Sequence, residues 1–489
     1  MGRIVIESFQ WGQANDKNRG QKWAFWNSKN IDYRRNSQYI ELAKKVHTLF
    51  SISTTPLAIT FWGTGGTLTT DLVVFANGWV YTSAWLQSSL SGILNVAEAN
   101  STKFIILDNS LRSYTNPTTN TLISAYTGAS VGYRPAIDFG WDLIFWNGNK
   151  VVRYNIDGTL MEWTAWTSNP VIWGLDGNIV AITNIWQWVF LWCDGWTATT
   201  VYQWDGVSNA WSTFVRYADK SVKNVALLWN MHYWWQSKTT GAIKEVLIWE
   251  SYRPQVYVKS DYPNLPIEDN PDDEKNKMAI TTLWNAYINA IETVGDIVYL
   301  PWIGRIFGFG SYFPWDTPSF NIEHTFTGTT VSAMASWGLT GSSSVDAWWI
   351  LAFWCANGAS NYDINVINLG MDIASPAPWY AESWELESME YLAPNFAKWE
   401  QDRKYVIPFE LPDDSCSIKI YEKRDRGSYS LVKTLSYSDY QGYNVAEVST
   451  QGTWRTKQYK FELLSSDSTY SPKLYVWFTN LTEDSWKTI

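Results

Sequence analysis

The chain has 489 residues, a formal net charge of −10 and only 17% charged residues, with 34 tryptophans against 30 glycines. That balance speaks against generic nucleic-acid binding, which needs clustered Lys and Arg to neutralise phosphates. Cys193, Cys355 and Cys416 are scattered without Cys-x-x-Cys spacing, so neither a disulfide framework nor a zinc knuckle is indicated.

The first fifty residues lack a basic segment followed by a long apolar one, so no secretory signal is expected, and Ile6 stands where myristoylation needs Ser or Thr. Residues 1–50 are expected to be an extended lead. From residue 51 to 384 the text is short strands between turn residues, with little helical periodicity. Seven modules recur: Asp71–Tyr81, Phe104–Asn109, Asp142–Gly158, Asn178–Gly206, Val225–Ile248, Asp296–Phe309 and Asp346–Ile367. Each places apolar strands around a polar turn, often ending in Asp-Gly, as in Asp157-Gly158 and Asp205-Gly206. A module of this kind leaves its sheet faces bare, and a ring of modules buries them. The second and fifth modules are ragged, so a β-propeller of six or seven blades is expected. No stretch is apolar for long enough to span a membrane as a helix; the densest, 347–355, is half the minimum of about 18 residues.

Residues 261–277 hold three prolines and a charge run and read as an exposed loop. The spacing of its carboxylates does not fit an EF-hand, with Pro271 inside it and no turn glycine. Composition changes after Pro376. From 385 to 489 six or seven strands alternate with one polar face, at Arg403–Leu411, Ser415–Asp425, Ser430–Leu435, Asn444–Val448, Tyr459–Leu464 and Leu474–Thr479. Antiparallel sheets packed on one side read this way, so a C-terminal β-sandwich is expected. The fold class is therefore all-β.

Many tryptophans stand among Gly, Asn and Asp, where hairpins use positive φ: Trp79, Trp141, Trp146, Trp196 and Trp337. Read with glycine instead, Asp142–Tyr154 becomes an ordinary strand, turn and strand. Three readings are open: UGA codons meaning glycine in the source but translated here as tryptophan; authentic core or surface indoles; and exposed indoles that stack on sugars. On the first reading Trp79, Trp146, Trp196 and Trp337 should lie in turns or bulges, with positive φ or large exposure. Trp204 and Trp249 sit at ordinary strand positions and read as authentic.

No constellation for catalysis stands out. Gly-x-Ser-x-Gly, His-Glu-x-x-His and a phosphate-binding Gly-x-x-x-x-Gly-Lys are absent, and the Gly63-Thr-Gly-Gly-Thr67 cluster has no lysine beside it. His47, His232 and His324 are far apart in sequence. Asp296 with Glu323, or Asp316, could pair as glycosidase carboxylates, but the sialidase-type Asp-box is missing. No catalytic, cofactor or metal site is assigned, and no cofactor is expected.

Two stretches resemble a known group. Phe9-Gln-Trp-Gly-Gln-Ala-Asn-Asp16 with Gly20-Gln-Lys-Trp-Ala-Phe-Trp-Asn-Ser-Lys-Asn-Ile-Asp-Tyr-Arg34 is similar to the starts of tail-associated virion proteins of tailed bacteriophages. Tyr459-Lys-Phe-Glu-Leu-Leu-Ser-Ser-Asp-Ser-Thr-Tyr-Ser-Pro-Lys-Leu-Tyr475 resembles their closing strands. The resemblance implies a non-enzymatic virion component of the tail or head–tail junction, a nozzle- or hub-like ring. Its implied partners are copies of itself, other tail subunits, packaged DNA and a host-surface glycan. A phage or host that reads UGA as glycine would also explain the tryptophans. The alternative function is a carbohydrate- or receptor-binding propeller, and less so a propeller glycosidase.

Overall fold

The computed structural model describes residues within 5–6, 25–32, 39–61, 72–257, 292–369 and 380–480, some connections inside these spans excepted. The described elements are all strands. Among the described residues seven four-stranded antiparallel sheets follow one another along the chain, at 56–90, 93–125, 136–164, 178–217, 222–257, 292–325 and 331–368. The seventh takes its fourth strand, His47–Ile52, from the front of the chain. The first strand of each sheet packs against the first strand of the next, and Val331–Leu339 of the last packs against Pro56–Phe61 of the first. The ring is closed, a β-propeller of seven blades, and the seven sequence modules fall one to a blade.

The second strand of each blade explains why the modules looked so apolar. Leu72–Ala76 and Asp142–Asn147 are buried at every position. Because side chains alternate across a strand, such a run serves two neighbours at once. Val73 and Phe75 pack toward the second blade with Ile105 and Tyr114, while Leu72, Val74 and Ala76 pack toward the seventh with Ile350 and Trp354. Leu143 and Phe145 likewise meet the second blade, and Ile144 and Trp146 the fourth. The cores of the first and third blades are thus each half of two interfaces.

Two hairpins within blades close with both central residues at positive φ, Asn100-Ser101 (48° and 58°) and Gly140-Trp141 (61° and 73°). This is the primed turn that matches strand twist. The Asp-Gly phrases sit between third and fourth strands, where Asp205 Oδ1 accepts from the amides of Val207 (2.9 Å) and Ser208 (2.7 Å). Those bonds hold the Asp205 carboxyl below its ordinary range against the opposing effect of desolvation.

The remaining described strands build two larger antiparallel sheets and one pair, Glu400–Gln401 with Thr453–Trp454. One runs Val5–Ile6, Phe478–Asn480, Tyr405–Leu411, Lys473–Tyr475, Tyr39–Leu42, Ile31–Asp32, with Gly442–Val448 also on Tyr405–Leu411. The other runs Phe25–Lys29, Ser383–Ser388, Thr456–Ser465, Cys416–Arg424, Ser430–Ser436, with Tyr391–Leu392 also on Thr456–Ser465. Ile40, Leu42 and Phe409 of the first sheet share one buried cluster with Leu386, Ile418 and Phe461 of the second.

The described residues of 1–50 therefore do not form an extended lead. Their strands pair in both of these sheets, and the expected boundary at 50/51 falls inside His47–Ile52, a strand of the seventh blade. The physical reason is alternation over too few residues: Tyr39–Leu42 is only four long and shows no period of its own.

Candidate functional site

Among the described residues a group of polar contacts joins the sixth blade to the two-sheet unit. Asn30 sits in left-handed geometry (φ 57°) between Phe25–Lys29 and Ile31–Asp32. Asparagine tolerates this conformation better than most residues. Its Oδ1 accepts from the Thr325 amide at 2.9 Å and the Thr325 hydroxyl at 2.7 Å, on the outermost strand of the blade. Its carbonyl accepts from Ala43 N at 2.9 Å, and Ala43 O accepts from Ala381 N at 2.9 Å. The next residue, Lys44, presents its carbonyl to His324 Nδ1 at 2.9 Å, and its ammonium lies 3.7 Å from the centre of the Tyr380 ring. Leu42 N donates to Ser471 Oγ at 2.9 Å, and Tyr380 N to Ser468 O at 2.7 Å.

This clasp is a fastening rather than a catalytic centre. A carbonyl can only accept, so Nδ1 is the protonated nitrogen of His324, and the ring is held by the main chain. His324 Nε2 is 3.9 Å from Glu323 Oε2, and both residues are buried. The Asn30–Thr325 and Lys44–His324 bonds tie the sixth blade to the front of the chain, and those of Leu42 and Ala43 tie that front segment to the 380–381 and 468–471 segments of the two-sheet unit.

The other residues weighed from the sequence are dispersed. His47 opens the closing strand of the seventh blade, its pKa lowered by burial and by Lys45. His232 opens a second strand in the fifth blade. Glu323 adjoins the clasp, whereas Asp296, Asp316, Gly63-Thr67, the 261–277 loop and Trp249 lie outside the described residues. All three cysteines are buried. Burial pushes the Cys355 thiol up to about 11 and raises that of Cys416, which keeps both as poor nucleophiles at neutral pH. Among the described residues no group of His, Cys, Asp and Glu could hold a metal ion. Nor does a described helix have the length and apolarity to cross a membrane.

One pair had no signature in the sequence. Glu292, on the first strand of the sixth blade, accepts a 2.6 Å bond from Ser336 Oγ on the first strand of the seventh. Burial of the carboxyl raises its pKa to about 7, and the serine bond opposes the rise.

The tryptophans divide. Trp141 has φ 73° and is 69% exposed in its turn, and Trp79 is exposed at the start of a strand. Trp146 contradicts the turn expectation: it lies in Asp142–Asn147 opposite Val151 and is buried with Trp204 and Leu191. A position facing the next blade takes a large apolar side chain as readily as a small one. Trp337 is paired within Val331–Leu339, away from a turn, and Trp196 lies outside the described residues. Trp192, Trp204, Trp354 and Trp454 are buried.

No protein-family model matches the chain, and no curated sequence is significantly similar to it. Solved structures with a similar arrangement include YCF48 from Cyanidioschyzon merolae, at 10% identity and a TM-score of 0.41 over 66% of this chain and 98% of that one. The Dos1 propeller is 9% identical with a TM-score of 0.38, over 72% and 96%. The computationally designed Ika8 protein is 12% identical with a TM-score of 0.37, over 67% and 100%. The fold assignment rests on the strand pairing of the ring itself.

Proposed function

We propose that this chain is a non-enzymatic structural component of a tailed-phage virion, placed in the tail or at the head–tail junction. The observation that carries the reading is where the two resembling stretches lie. Ser28-Lys-Asn-Ile-Asp32 supplies Asn30, which fastens the two-sheet unit to the sixth blade. In the closing stretch Ser465 Oγ donates to Asp467 O at 2.5 Å and Thr469 N to Asp467 Oδ1 at 2.9 Å, and this turn holds Tyr380 and Leu42 through Ser468 and Ser471. Both stretches are thus parts of one clasp. A rigid ring locked to a second unit suits a part that transmits load and seats against flat neighbours, copies of itself and other tail subunits. Its partners in that setting also include packaged DNA and a host glycan.

Recoding of UGA to glycine belongs to this proposal for a subset of the tryptophans. Trp141 supports it, since a non-glycine at φ 73° costs about 1–2 kcal/mol. The buried Trp146, Trp192 and Trp204 support authentic indoles, and they also weaken the reading in which a tryptophan platform binds sugar. Antibodies against the two-sheet unit, applied to purified particles and imaged by electron microscopy, test the placement. Label confined to the tail or portal vertex is expected; label absent from intact and opened particles contradicts it.

A further inference from the structure

We propose that the outer face of the seven-stranded sheet binds a neutral glycan through tyrosines. This deepens the virion reading, whose partners include a host glycan, and does not depend on which tryptophans are authentic, since the residues are Tyr, Val, Glu and Lys. On Gly442–Val448 the side chains of Tyr443 and Val445 are 60% and 44% exposed, while the alternate positions Ala446 and Val448 are buried in the core. Tyr443 stands opposite Glu410, Val445 opposite Pro408, and Glu410 opposite Lys473 on the other side. Tyr475 faces Tyr39 on the next strand.

The three rings make a row. Tyr443 and Tyr475 centroids are 5.1 Å apart and nearly perpendicular, and Tyr475 and Tyr39 are 5.5 Å apart, also edge to face. Lys473 Nζ lies 5.1 Å from the Tyr39 centroid. Beside the row, Glu410 Oε2 accepts from Tyr475 Oη at 3.1 Å and from Lys473 Nζ at 3.3 Å. Both bonds fall on one oxygen, so among the described residues Oε1 is left to accept from an incoming group. Burial, and then the Glu410 contact, pushes the Tyr475 hydroxyl up to about 12, so it stays a donor.

A carboxylate held still by two donors, flanked by aromatic rings, matches a sugar: ring C–H groups meet the aromatic faces and adjacent hydroxyls meet the carboxylate. A dry apolar protein surface fits less well, because covering Glu410 would leave its Oε1 without a donor. With Glu410 and Glu447 against Lys473, the face also disfavours an anionic polysaccharide.

Affinity electrophoresis of the full chain through gels holding neutral β-linked or α-linked hexose polysaccharides tests this, with hyaluronate as the anionic control. Retardation by at least one neutral polymer and none by hyaluronate is expected. Tyr443→Ala should weaken it at least tenfold, Tyr443→Phe by less than threefold, and Glu410→Gln severalfold. Tyr443 is too exposed for its truncation to unfold the sheet, and circular dichroism of the variant checks that. The proposal is overturned if no neutral polymer retards the chain, or if Trp79→Ala or Trp141→Ala removes retardation while Tyr443→Ala does not. It is also overturned if Tyr443→Ala changes only self-association in sedimentation, which would make the face a protein contact. None of these outcomes bears on whether the chain is found in particles.

Discussion

Asn30 and Thr325 are 295 residues apart, yet the Asn30 Oδ1 atom takes both the amide and the hydroxyl of Thr325. One side chain from the front of the chain thereby closes the contact between ring and two-sheet unit. Asn30→Ala leaves the Thr325 amide without its acceptor and places alanine at φ 57°, and a loss of about 2 kcal/mol is expected. Asn30→Asp keeps the acceptor and should lose much less. Urea denaturation of the two variants against the parent checks this, and equal losses would show that the bonds to Thr325 are not what stabilises the junction.

The seventh blade predicts a second effect. Asp363, 8% exposed, accepts from Ser51 Oγ on the closing strand at 2.6 Å and from Asn357 Nδ2 at 2.6 Å. Asp363→Ala leaves both donors unpaired at a cost of about 2 kcal/mol. It should also expose 44–55 to limited proteolysis before any other part of the ring.

Glu292 makes stability depend on pH in a definite direction. Its carboxyl is raised from 4.5 to about 7 in the folded chain, so folding favours the protonated form. The contribution is complete below the unfolded value and is lost as pH rises through about 7, a decline on the order of 3 kcal/mol between the two. Glu292→Gln retains an acceptor for Ser336 and carries no charge. The stability difference between parent and variant, measured from pH 4.5 to pH 8, should move in the variant's favour as pH rises; a constant difference would contradict the burial of this carboxyl.

Trp141 and Trp146 predict opposite outcomes for one substitution. Trp141→Gly relieves a left-handed indole and should stabilise by about 1 kcal/mol. Trp146→Gly empties a site filled against Ile144's neighbours in the fourth blade and should destabilise by about 3–5 kcal/mol. Stabilisation by both would mean that glycine is the native residue at the buried position as well.

The ring was legible because its information is local. Five apolar residues in a row, as in Leu72-Val-Val-Phe-Ala76, announce a strand buried on two faces, and a turn beside each marks a blade. The closing stretch was equally plain, since Cys416–Arg424 alternates buried and partly buried positions. What the text concealed is relational. Nothing about His324 announces that its partner is the carbonyl of Lys44, 280 positions earlier, and nothing about Glu292 names Ser336 on the next blade. The tyrosine row is hidden for the same reason: Tyr39, Tyr443 and Tyr475 come from three strands whose adjacency exists only in the sheet.

Mass spectrometry of purified phage particles from a host culture carrying this gene tests the central claim most directly. Peptides of this chain are expected at a stoichiometry of several copies per particle, with residue 141 read as glycine. Their absence from particles, while the chain is abundant in the same lysate, would contradict the assignment to the virion.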